Sequence, residues 1–171
     1  MSVTATNTIG VPGSGEFASI GLNLFNDASE YYSIMLNWNE GGLFVRLEGT
    51  GYGDSSVSLG DGTDVSLRIS WDAGSKLLSS SYSTDGINFN SVGTDFDPVS
   101  GWANSNPASS VDNGFNFGVF GQSNMSSAIS VGSMHLDNFS VSAVPEPSTY
   151  AAIAGALMLG FAVWRRRKVR A

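Results

Sequence analysis

The chain has 171 residues, enough for one domain with a substantial core and too few for two of ordinary size. Apolar residues make up 42%, which argues against a disordered chain, and charged residues only 13%, about half the usual share of roughly 25%. Up to Thr149 three basic residues (Arg46, Arg68, Lys76) face fifteen acidic ones, a net of −12 that argues against a nucleic-acid partner; the absence of cysteine removes disulfides, thiolate catalysis and cysteine-ligated metals.

In chain order, the alternation of large apolar with polar residues predicts strands over Glu16–Leu24, Tyr31–Trp38 and Leu43–Glu48. The run Gly53–Asp64 reads as a loop. Alternation resumes at Val65–Trp71, where every second residue is large and apolar, and further strands follow at Leu77–Ser83, Gly114–Gln122 and Met134–Ser142. Turn chemistry separates them: Asn39-Glu-Gly-Gly42, Gly60-Asp-Gly62, Asp72-Ala-Gly74, Asp85-Gly86 and Asp112-Asn-Gly114. The body, residues 1–143, shows no helical period. Short strands at this spacing predict an all-β, antiparallel β-sandwich. Residues 144–149 form a Pro-Glu-Pro linker, 150–164 an apolar helix, and 165–171 a basic end with five cations and no acid, a net of +5.

Few residues in the body carry chemistry. Asp54, Asp61 and Asp64 sit close enough in one loop to offer oxygen ligands, so calcium is the one cofactor considered, although aspartates also serve simply as turn formers. Trp102, in the run Gly101-Trp-Ala-Asn-Ser-Asn-Pro107, is either an aromatic platform for a sugar, with Asn104 and Asn106 supplying hydrogen bonds, or a lid over the core. Asp95 and Asp97 are the only close strand-like carboxylate pair, and Pro98 follows at once. His135, the single histidine, alternates with Met134 and Leu136 and is expected at the surface. No catalytic residue is assigned: no serine stands in a nucleophile-elbow frame, and the two strand-borne carboxylates that a jelly-roll glucanase needs are missing.

Two resemblances add to this reading. The segment Asp64–Gly93 and the closing Leu136-Asp-Asn-Phe-Ser-Val141 resemble hairpins and the last strand of concanavalin A-like (LamG-like) jelly rolls, in which the terminal strands pair. The tail resembles the PEP-CTERM sorting signal in all three of its parts: Pro145-Glu146-Pro147, the uncharged stretch Tyr150 to Trp164, and the cluster Arg165, Arg166, Arg167, Lys168 and Arg170. Fifteen residues rise about 22 Å as a helix, short of a hydrocarbon core of about 30 Å, but flanking aromatics and snorkelling arginines suit a membrane span with the arginines cytoplasmic. The resemblance implies processing by an exosortase after a membrane-held intermediate, in a Gram-negative bacterium that makes exopolysaccharide. It also implies a secretory leader, which the opening MSVTATNTIGVPGSG lacks, so the natural start is expected upstream. The expected function is that of a non-catalytic surface or extracellular-matrix protein associated with exopolysaccharide; a carbohydrate-binding module is the alternative and a glycosidase ranks last.

Overall fold

The computed structural model describes residues 1–26, 30–60, 64–103, 115–142, 154–159 and 161. Ten strands follow one another as β1 (Ser2–Asn7), β2 (Phe17–Phe25), β3 (Tyr31–Asn39), β4 (Gly42–Gly49), β5 (Gly53–Gly60), β6 (Asp64–Asp72), β7 (Leu77–Ser83), β8 (Asn90–Ser91), β9 (Asn116–Ser123) and β10 (Met134–Ser140), with a short helix α1 (Pro98–Ala103) between β8 and β9. They form two five-stranded antiparallel sheets, ordered β10-β1-β6-β7-β8 and β5-β4-β3-β2-β9. The body is a two-sheet antiparallel β-sandwich consistent with a jelly roll.

The alternation read in the sequence is the alternation that builds the core. In β6 the phase holding Val65, Leu67 and Ile69 is buried against Ile34, Leu36, Val45 and Leu47 of the other sheet, while Ser66, Arg68 and Ser70 turn away. At about 1.5–3 kcal/mol for each buried aliphatic side chain, this phase dominates the stabilisation of both sheets. A nine-residue register from Phe17↔Asn39 to Phe25↔Tyr31 joins β2 to β3, and the β3–β4 ladder runs on from Tyr32↔Gly49 to Asn39↔Gly42.

Three elements depart from the sequence expectation. β1 was not among the expected strands: its inward residues, Val3, Ala5 and Asn7, are small or polar, so the apolar signal is faint. It nevertheless lies between β6 and β10, with Ala5 opposite both Val65 and Leu136, so the first and last strands pair as the jelly-roll resemblance implies. The Gly53–Gly60 run, read as a loop, is strand β5, with Ser55, Val57 and Leu59 on its half-buried phase. The body also contains one helix, α1, where none was expected.

The chain divides into two units, Met1–Val141 and Ser142–Ala171. In the second, residues 154–159 are helical and exposed. Among the described residues no helix is long and apolar enough to cross a membrane; most of the apolar stretch 150–164 lies outside them.

Candidate functional site

The body's most elaborate polar surface is the outer face of the β5-β4-β3-β2-β9 sheet, and it arises from the strand period. In β2 and β3 the residues out of phase with the core are Ser19, Gly21, Asn23, Ser33, Met35 and Asn37. Register then lines them into rows across the sheet. One row reads Gln122, Ser19, Asn37, Phe44, Ser58; the next Phe120, Gly21, Met35, Arg46, Ser56; the third Gly118, Asn23, Ser33, Glu48, Asp54.

Hydrogen bonds knit these rows together. Asn37 Nδ2 donates to Ser19 Oγ at 2.6 Å, Ser33 Oγ to Asn23 Oδ1 at 2.9 Å, and Asn39 Nδ2 to Asn37 Oδ1 at 3.2 Å. Ser19, Ser33, Asn37 and Met35 are buried although they face away from the core. Arg46 reaches two carboxylates, Asp54 at 2.8 Å and Glu48 at 3.2 Å. This face therefore presents amides, hydroxyls and one guanidinium beside the rings of Phe44 and Phe120. Such a mixture can hydrogen-bond a polyol and stack on a sugar ring. Sequence reasoning missed it because its members are spread over five strands; the available signal was the polar phase of β2 and β3, which holds only Ser, Asn, Gly and Met between core residues.

The residues singled out in the sequence are not brought together. Trp102 is 0% exposed, which corrects its reading as an exposed sugar platform and agrees with the lid. Asp97 caps the short helix that carries it: its Oδ1 accepts from the backbone N–H of Val99 and Ser100, and Pro98 takes the first helical position, where a missing N–H costs nothing. The helix turns Trp102 into an aromatic series that closes one end of the sandwich. Trp102 meets Phe96 at 6.1 Å and Phe115 at 6.0 Å between ring centroids; Phe96 stacks on Tyr32, and Phe115 meets Trp71 edge-on. Burial pushes the Tyr32 phenol up to about 12. Asn104 and Asn106 lie outside the described residues.

The acidic loop is divided too. Asp54 pairs with Arg46 on β5, and Asp64 on β6 accepts from Thr6 Oγ1 at 2.6 Å in the opposite sheet; Asp61 lies outside the described residues. Among the described residues no three His, Asp or Glu side chains stand close enough to hold a metal. Asp95 and Asp97 flank Phe96, whose backbone bridges Leu78, so neither belongs to a longer strand. His135 is exposed, with Nε2 3.4 Å from Asp137.

Pro145, Glu146, Pro147 and the basic residues Arg165, Arg166, Arg167, Lys168 and Arg170 lie outside the described residues, but their sequence is informative by itself. The body defines a jelly-roll-like β-sandwich. Residues 143–168 match the family described as the PEP-CTERM protein-sorting motif. The motif implies an exported protein that an exosortase processes. Comparison with curated proteins finds no match.

Proposed function

We propose that this chain is a non-catalytic module that its tail delivers to the cell surface or extracellular matrix of a Gram-negative bacterium, where it associates with exopolysaccharide. The observation that carries the proposal is the sorting motif at residues 143–168, joined directly to a β-sandwich. In this reading the stretch 150–164 holds the unprocessed chain in the inner membrane, Arg165–Arg167 stay in the cytoplasm, and exosortase acts near Pro145-Glu146-Pro147. A non-catalytic body is supported by Glu48 and Asp54, the two carboxylates that oppose each other on the outer face. Both are engaged by Arg46, whereas a glycosidase leaves one free to carry a proton. The experiment is Glu146→Ala in a cell that expresses exosortase, read by intact mass. The variant is expected to keep its tail and stay in the membrane fraction; a mature mass cut to the same length as wild type would overturn the role of the motif.

A second reading, a carbohydrate-binding module with a discrete site, is favoured by the amide, hydroxyl and aromatic rows of the outer face. Its test is binding of the full chain in detergent to a polysaccharide panel, beside Phe44→Ala and Arg46→Ala. Saturable binding weakened at least tenfold in both variants is expected. Binding that neither variant alters would remove the outer face from consideration.

A further inference from the structure

We propose that β9 is a self-association edge, at which a second copy of this chain adds its own β9 and extends the sheet. β9 pairs with β2 on one side only; among the described residues no strand covers the other. Half the backbone N–H and C=O groups of an edge strand point outward, and soluble proteins blunt such edges with charge, proline, a bulge or extreme shortness. The other three edges of this sandwich each carry such a device. β5 has Asp54 and a register shift opposite Leu43 and Phe44; β8 is two residues long; β10 has Asp137 and a register irregularity opposite Ser2 and Thr4, with Asn138 at φ 56°. β9 has none of these over its eight residues, and from Phe115 to Met134 the sequence contains no Asp, Glu, Lys, Arg, His or Pro.

Its side chains point the same way. Phe117 stands opposite Leu24 and Val119 opposite Leu22, on the core side of the sheet, yet they are 45% and 51% exposed while both leucines are buried. This flank is an apolar row in want of cover. Charge selects what covers it. A body with a net of −12 repels its own kind over most of its surface, and twenty consecutive residues without charge form the place where two copies can meet without like charges opposed. A two-fold axis between antiparallel β9 strands keeps both Phe117 and Val119 rows on one side of a continuous sheet and satisfies the outward backbone groups of both copies.

The experiment is sedimentation of the full chain in detergent, beside Val119→Lys, with Ser56→Lys on β5 as the control edge. Wild type and Ser56→Lys are expected to be dimers, and Val119→Lys to raise the dissociation constant at least tenfold with an unchanged circular dichroism spectrum. Gln122→Glu, on the other side of β9, leaves the core side intact and is expected to act alike, so the test stands even where Val119→Lys does not fold. All variants keep the tail, so association through the tail would persist in every one of them. A monomeric wild type, or a dimer that folded Val119→Lys or Gln122→Glu leaves unchanged, would overturn the proposal.

Discussion

At Asp85 one carboxylate accepts four hydrogen bonds: from the Ile87 N–H at 2.8 Å, the Asn88 N–H and Asn88 Nδ2 at 2.7 Å each, and Ser83 Oγ at 2.8 Å. The Asn88 and Ile87 backbone donors lead in favouring the ionised form, so its pKa falls far below the ordinary carboxylate range. A group depressed in the folded state contributes stability that is complete above its unfolded pKa, about 4, and is lost as pH falls towards the folded value. Asp85→Asn keeps an acceptor oxygen but cannot titrate. Between about pH 5 and about pH 2 its urea midpoint should fall less than that of wild type; parallel declines would show that Asp85 does not contribute to acid sensitivity. The Asp-Gly turn is legible in the sequence, but the convergence of four donors on one carboxylate depends on the path of residues 83–88 and is not.

Among the elements, the β2–β3 pair is the tightest. Gly21 lies opposite Met35, and a methyl group there would run into the Ile34 carbonyl and the Met35 Cα, both backbone. Since backbone in mid-sheet has little room to yield, Gly21→Ala should cost about 1–3 kcal/mol in urea denaturation, and a loss below about 0.5 kcal/mol would refute the close approach. Strands with large inward residues, β2, β3, β4, β6 and β7, are legible from alternation. Where the inward phase is Val3 and Ala5, or Ser55 and Val57, amplitude fails and β1 and β5 disappear into apparent loop. The helix α1 is hidden for another reason: six residues give less than two turns of period, and a buried Trp102 is what holds them, a tertiary cause that local pattern does not record.

For the molecule as a whole, the parts that are contiguous in sequence were readable and the parts assembled by register were not. The sorting motif occupies 26 consecutive positions and announces itself by order and charge. The outer face draws one or two residues from each of five strands, so it exists only once the register is known. The same distinction bears on how the chain folds. β1 is held between β6 and β10, and β2 between β3 and β9, so Ser2 must find Ser140 and Phe25 must find Asn116 before either sheet is complete. Such distant closures make folding slow, on the order of milliseconds to seconds, and place its last step late. During synthesis and transport the meander β2–β5 has its neighbours at hand, but β1 stays half-paired until residues 134–140 arrive. Since residue 143 begins the sorting motif, the body acquires its final strand almost as the signal for its destination appears, and the two events are timed by nothing more than their adjacency in the chain.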